Sequence, residues 1–244
     1  MNWFSEDVAA TYDADCAEEF SPGALEQTVE ALSDLAAGGP VLELAIGTGR
    51  VALPLAERGL SVAGIELSDA MVARLRAKPG GQQIPVAMGD MATAHAPGRG
   101  TFRLVFLVFN TIMNLTSQDA QARCFQNAAD HLAPGGHFVV ETMLPALREL
   151  PIGQRFIPFS VTDRHIGVDE YDVVTQRLTS HHVVTHGDGS VARTSTPFRY
   201  VWPSELDLMA RLAGLRLVDR WDGWSRRQFD DRSTAHVSVW RKGD

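Results

Sequence analysis

Apolar residues recur at helical spacing from Ser21 to about Ala37, with Ser21 placed as an N-cap and Pro22 in the first turn, which predicts a leading helix behind an N-terminal arm. The next apolar run, Val41 to Ile46, is too short for a helix and stops at Gly47-Thr48-Gly49, so it reads as a buried strand feeding a glycine turn. Helix resumes as far as Gly59, placed as a C-cap. The unit then repeats: a strand from Ser61 to Ile65, a helix from the Ser68 cap to about Ala77, and a short strand from Ile84 to Met88. A further strand, Arg103 to Phe109, precedes a helix from Ser117 to His131, and Leu132-Ala133-Pro134-Gly135-Gly136 is expected to turn the chain into the strand His137 to Glu141. Strands that alternate with helices in this way predict a parallel sheet with crossover helices.

The pattern changes after Leu150. Phe156 to Thr162, Val168 to Val174, Arg177 to Thr185 and Ser190 to Val201 read as strands joined by turns, His186-Gly187-Asp188-Gly189 among them. With no helix between them they predict antiparallel sheet. A helix follows from about Pro203 to Ala213, with Gly214 at its end, and two strands close the chain, Leu215 to Trp221 and His236 to Arg241. The expected organisation is a Rossmann-like α/β core over 1–149 and 203–244, with an antiparallel β insert over 150–202 acting as a lid.

Composition narrows the function. A chain of 244 residues with 45% hydrophobic content can bury a substantial core. Its net charge of -8 argues against a non-specific grip on nucleic acid, which relies on Lys and Arg neutralising phosphates. Cys16 and Cys124 are far apart and lack C-x-x-C spacing, so neither a disulfide framework nor a metal cluster is indicated, and a reducing cytoplasm is the expected setting. No apolar run is long enough to span a bilayer. A small-molecule partner fits these constraints best.

The chemistry centres on E-L-A-I-G-T-G-R, Glu43 to Arg50. Its glycines let the backbone approach a ligand, and the following helix presents free amides. Gly47-x-Gly49-x-x-Ala52 also satisfies the dinucleotide fingerprint, so an NAD-dependent oxidoreductase stays in view. Glu43 lies within the strand, where a buried carboxylate needs a partner. The cationic amino-acid end of S-adenosylmethionine could supply one, whereas a pyrophosphate could not. Glu66, about twenty residues after the turn, can bridge a ribose diol in either cofactor. Asp90, in Gly89-Asp90-Met91, can accept from an adenine amino group while Met91 and Leu67 cover the ring, and this third acid favours the methyl donor.

Together, Glu43 to Arg50, Glu66-Leu67-Ser68, Gly89-Asp90-Met91 and Leu132-Ala133-Pro134-Gly135-Gly136 resemble, in order, the successive motifs of class I S-adenosylmethionine-dependent methyltransferases. The resemblance covers about Gly39 to Thr142 and implies a seven-stranded sheet with a reversed final strand, completed by the two closing segments. It places Ala45, Gly47, Gly49 and Arg50 of the turn and Met71 of the following helix in the cofactor site, with S-adenosylhomocysteine as the product, while Phe109, after the fourth strand, is a candidate cofactor cover or equally a core residue. The insert is similar to that of small-molecule N-methyltransferases, including amino-sugar enzymes of antibiotic pathways. An N-terminal tyrosine often holds the cofactor carboxylate in such enzymes, which makes Tyr12 a candidate.

For the acceptor side, the loop Phe109 to Asn114 should pass beside the methyl group, so Asn110 and Asn114 are candidates to orient a polar acceptor, with turn capping as the structural alternative. Glu141, ending the fifth strand, could hold an amine or accept a proton, or make a structural hydrogen bond. Arg199, Tyr200 and Trp202 could wall the substrate, although alternation sends half of a strand's side chains elsewhere. His165 is the candidate base for a hydroxyl acceptor. A deprotonated amine needs no base, and the lack of a His-Asp pair tilts the reading towards N-methylation. A cyclase or alkyl transferase using the same cofactor, and an inactive nucleotide-binding partner, would carry identical motifs. Exposed edges of the inserted sheet predict self-association, with a homodimer as the simplest product.

Overall fold

The computed structural model describes residues 6–16 and 22–244, so Ser21 lies outside the described residues. The leading helix α2 (Pro22–Ala36) is preceded by a helix that periodicity does not predict, α1 (Glu6–Asp15). Its sequence carries no apolar stripe, and Ala9 is the one fully buried residue among its described side chains.

β1 (Val41–Leu44), α3 (Ala52–Glu57), β2 (Val62–Glu66), α4 (Asp69–Ala77), β3 (Val86–Met88), β4 (Phe102–Leu107), α5 (Gln118–His131) and β5 (Leu132–Met143) build the parallel part of a seven-stranded sheet. Later in the chain, α6 (Pro203–Leu212) leads into β10 (Leu215–Trp221) and β11 (Ala235–Lys242). The order is β10-β11-β5-β4-β1-β2-β3, and β11 runs antiparallel to both neighbours. This is the expected Rossmann-like sheet with its reversed final strand. Every residue of β1 and β2 is buried, as helices on both faces require of central parallel strands.

On one face Leu42, Leu44, Val105, Leu107 and Val140 pack against α5 and α6, and Phe125 of α5 stands edge-on to Phe138 and Trp240 at centroid distances of 5.0 and 5.3 Å. On the other, Val41, Leu104, Phe106 and Val139 pack against Val29, Leu32 and Leu55 of α2 and α3. The chain builds outward from β1 to β3 and then returns to add β4 on the other side of β1. The crevice at the carboxyl ends of β1 and β4 is where such sheets take ligands.

Two local expectations are corrected. Leu132 to Gly136 belongs to β5 rather than preceding it, yet the ladder jumps from Phe102↔Leu132 to Leu104↔His137, so the intervening residues loop out, with Gly135 left-handed at φ 71°. β7 spans His165–Asp172, earlier than the predicted Val168 to Val174. The Asp172 carboxylate stops it by accepting from the Val174 amide (3.0 Å) and the Thr175 hydroxyl (2.6 Å), a local turn that outcompetes the strand preference of the two valines.

β6 (Phe156–Val161), β7, β8 (Arg177–Thr185) and β9 (Val191–Arg199) form a separate antiparallel sheet in sequential order. Tyr171, Leu178 and Phe198 turn its inner face onto the main core. Arg199 anchors it. Its guanidinium, buried, donates to Gln121 of α5 (2.5 Å), Glu205 of α6 (2.7 Å) and Gln176 (3.0 Å), and the Gln121 amide donates to the carbonyls of Arg199 (3.1 Å) and Ile112 (3.2 Å). Arg199 is therefore a docking residue rather than a substrate wall, and Tyr200 is packed into the core beside it. Arg199→Ala leaves the Glu205 carboxylate largely buried without its cation and should cost about 3–5 kcal/mol in urea unfolding. A loss below about 1 kcal/mol would mark the pair as effectively solvated.

Candidate active site

The crevice is shaped first by backbone. β1 gives way to Ala45 at φ 55°, Gly47 at 56° and Gly49 at 83°. A β-carbon on Gly49 would lie 2.4 Å from Leu75 Cδ1, so both conformation and space select glycine there. Glu66, 5% exposed at the end of β2, holds this turn in place. Its Oε2 accepts from the Gly47 amide (2.8 Å), and its Oε1 accepts from the amides of Leu67 and Ser68 (2.9 Å each). Burial raises its pKa against the opposing pull of these three amides. A carboxylate offers about four acceptor positions. Three are filled, which leaves room for one further donor rather than the two of a fully bridged diol.

Glu43 lies within β1, paired in register with Gly64 and Phe106, and is 4% exposed. Burial pushes its carboxyl up to about 8, opposed by Arg50 and by a hydrogen bond from the Ala52 amide. Its Oε2 is buried without a partner. At the end of β3, the Gly89 amide donates to the Glu66 carbonyl (2.8 Å), and Asp90 Oδ1 accepts from the Ala92 amide (2.8 Å) in a tight turn.

These elements surround a cleft of about 800 Å³, counted with its open mouth. Tyr12, Ala45, Gly47, Glu66, Leu67, Met71, Asp90, Met91 and Asn114 all line it. Burial pushes the Tyr12 hydroxyl pKa up, and Arg50 opposes the shift while Glu43 and Glu66 add to it, so these four groups share one electrostatic neighbourhood. Ile65, Gly89, Thr111 and Leu115 line the cleft as well and were not singled out by sequence. The signal for Leu115 was the apolar run Ile112-Met113 before it. Glu43, Gly49, Arg50 and Phe109 are absent from this lining; the Arg50 guanidinium lies 5.1 Å from the Phe109 ring centroid, so Phe109 backs Arg50 where a cofactor cover was expected.

The acceptor edge needs three corrections. Phe109 (φ 58°) and Asn110 (φ 60°) are consecutive left-handed residues, each costing about 1–3 kcal/mol unless surrounding contacts enforce it. Glu141 supplies such contacts: its Oε2 accepts from the Phe109 amide (2.9 Å), and its carbonyl accepts from the Asn110 amide (3.3 Å). Its Oε1 accepts from Trp224 Nε1 (2.7 Å). Asn110 Oδ1 in turn accepts from the Met143 amide (2.6 Å). Glu141 is thus committed to the Phe109 amide and the Trp224 indole, and Asn110 to the Met143 amide rather than to the turn cap expected as its alternative. The strained pair launches the 3-10 turn Thr111–Asn114, whose last residue lines the cleft with a carboxamide uncommitted among the described residues. His165 is absent from the lining. Its ring stacks on His182 at 5.2 Å with Nε2 3.0 Å from Nδ1 of that residue, at the far end of β7.

Comparison with known proteins agrees with this geometry. A methyltransferase domain family matches residues 41–136. The structure of the CcbJ methyltransferase from Streptomyces caelestis is 35% identical, covers 98% of this chain and 100% of its own, and superposes with a TM-score of 0.83. The chain belongs to the class I S-adenosylmethionine-dependent methyltransferases. A cypemycin N-terminal methyltransferase from Streptomyces sp is 28% identical over 207 residues, 83% of this chain and 82% of that protein. The sugar N-methyltransferase KedS8 from Streptoalloteichus sp shares the fold at 20% identity, with a TM-score of 0.66 and 96% and 93% of the two chains covered.

In this methyltransferase the Trp224–Glu141–Phe109 chain of bonds is testable by stability. Trp224→Phe strips Glu141 Oε1 of its donor and should lower unfolding free energy by about 1–3 kcal/mol. An unchanged denaturant midpoint would mean that water replaces the indole without loss.

Proposed function

We propose that this enzyme methylates an amino nitrogen of a small natural-product acceptor. The observation that carries the reading is the chemistry of the acceptor edge: Thr111 and Asn114 can orient a polar group but cannot take a proton, and the histidine expected as a base is engaged with another histidine away from the cleft. A deprotonated amine is nucleophilic without a base, so alignment and exclusion of water suffice. The names of the relatives support this, one acting at an N-terminal amine and another at a sugar nitrogen.

The residues present fit the methyl donor. The buried, unpartnered Oε2 of Glu43 suits an ammonium group, the remaining acceptor position of Glu66 suits a ribose hydroxyl, and Asp90 beside Met71, Met91 and Leu67 suits an adenine. Tyr12 would close on the carboxylate end, and Arg50, backed by Phe109, would temper the charge of Glu43. Bound S-adenosylmethionine supplies an activated methyl group and is converted to S-adenosylhomocysteine on transfer. Asn114 would hold the acceptor nitrogen towards that methyl group, with the Thr111 oxygen available only as an acceptor because its hydroxyl donates to the Val108 carbonyl (2.7 Å), and the proton lost by nitrogen would pass to solvent. No helix among the described residues is long and apolar enough to cross a membrane.

The test is transfer of labelled methyl into a cell extract split into small-metabolite and macromolecular fractions. Label should enter the small fraction, and acetylating the amines of the extract beforehand should abolish it. Label that survives acetylation would point to oxygen or carbon, and label in protein or nucleic acid would overturn the acceptor class. Cofactor turnover without label would favour a cyclase.

The placement of Glu43 has its own test. With its pKa near 8, the carboxyl is mostly protonated at pH 7 in the free enzyme, and receiving an ammonium group favours the ionised form. Binding of S-adenosylhomocysteine at pH 7 should therefore release up to about one proton, read by calorimetry in buffers of different ionisation enthalpy. Glu43→Gln should abolish the release. Heats independent of buffer in the wild type would remove Glu43 from contact with the ammonium.

A further inference from the structure

The described part of the N-terminal helix α1 is tied to the glycine turn and to the end of α4 by a closed set of polar contacts. Asp13 Oδ1 accepts from the Thr48 hydroxyl (2.6 Å), Asp13 Oδ2 pairs with Lys78 Nζ (2.5 Å), and the same ammonium donates to the Thr48 carbonyl (2.9 Å). Thr48 is the middle residue of Gly47-Thr48-Gly49 and is 1% exposed. Lys78 is one of only two lysines in the chain and sits at the C-cap of α4, the helix that begins beside Glu66. Tyr12, adjacent to Asp13, lines the cleft. The three contacts therefore join the element that covers the cleft to two of the elements that form it.

We propose that Asp13, Thr48 and Lys78 form a latch that holds α1, and Tyr12 with it, over the cofactor, and that opening of this latch sets the rate at which the cofactor product leaves. The proposal rests on the reading of the cleft as the cofactor site. Helix α1 also makes contacts through Val8 and Tyr12, but little of it is buried among the described side chains. It is ten residues long, a length at which an isolated helix is marginal in water, and Ala9 is its one fully buried residue among the described side chains. An element with so few apolar contacts opens locally at small free-energy cost. The latch is also partly solvated, with side-chain exposures of 26% for Lys78 and 40% for Asp13. Its strength is thus modest and screened by salt, as suits a contact that must break in each catalytic cycle. Asp13, Thr48 and Lys78 are positioning residues: they act on the cofactor through α1 and the turn.

The experiment follows S-adenosylhomocysteine binding by stopped flow and calorimetry in the wild type, Asp13→Ala, Lys78→Met, the double variant, and Thr11→Ala. The last removes an exposed bond within the same helix, Thr11 to Asp15 at 2.6 Å, and leaves the latch intact. Asp13→Ala should dissociate the ligand about ten-fold faster, equivalent to ~1.4 kcal/mol, with association changed far less. Lys78→Met should act in the same direction, the double variant should be no worse than the more severe single one, and Thr11→Ala should match the wild type. In turnover, KM for S-adenosylmethionine should rise while kcat is maintained. Wild-type dissociation should quicken with ionic strength, and Lys78→Met should lose that dependence.

Dissociation within about two-fold of wild type in both single variants would overturn the latch, as would additive effects in the double variant or an equal effect from Thr11→Ala. Should Asp13→Ala lower the unfolding midpoint, Asp13→Asn and the salt dependence decide the question, since they weaken the ion pair alone. Failure of the wild type to bind the ligand would instead refute the assignment of the cleft.

Discussion

The carboxylate of Glu66 is the interaction on which the site depends. Through one oxygen it fastens the glycine turn after β1, through the other it organises the start of α4, and through its main-chain carbonyl it receives the Gly89 amide that ends β3. Three strand ends that would otherwise leave buried amides unpaired are thus satisfied by one residue. Charge-assisted bonds of this kind are roughly twice as strong as neutral ones, and in a site that excludes water they also define direction. The glycine turn, the acid after β3 and the apolar floor between them take their positions from that junction.

On the other side of β1 the same economy appears in a different form. The chain leaves β4 through two left-handed residues that carry side chains, a conformation that asparagine tolerates but that is strained for phenylalanine. Glu141, Asn110 and Trp224 enforce it with bonds to backbone amides and to one another. The strain is thereby confined to the place where a turn must swing Asn114 to the cleft. Residues with the chemistry to serve as catalysts are used as scaffolding here, and the acceptor edge is left with uncharged groups.

The inserted sheet and helix α1 are both fastened to the core through ion pairs, and the physics of the two attachments differs. The inserted sheet is docked by Arg199 and Glu205, whose side chains are 7% and 13% exposed and further bonded to glutamines, so losing either partner strands a buried charge. Helix α1 is docked by Asp13 and Lys78 at the surface, where an ion pair contributes little and salt weakens it. The first attachment suits an element that stays in place. The second suits an element that opens and closes around a ligand.

Much of this was legible in the sequence because it is local. The alternation of short apolar runs with helical ones defines the parallel sheet, its glycine turn, the place of Glu43 within β1 and the strand-end positions of Glu66 and Asp90, since a strand end in such a sheet opens on the crevice whatever the rest of the fold does. The commitments of Asn110, Glu141 and His165 were not legible. Asn110 meets the Met143 amide 33 residues away, Glu141 meets Trp224 83 residues away, and His165 meets His182 across a strand pair. Helix α1 left no mark because it has no apolar stripe, and the contacts of Asp13 with Thr48 and Lys78 join residues 35 or more positions apart. Backbone preference and apolar periodicity are properties of neighbouring residues and can be read along the chain. The partner of a polar side chain is chosen by whichever group burial brings within hydrogen-bond reach, and only the folded chain decides that.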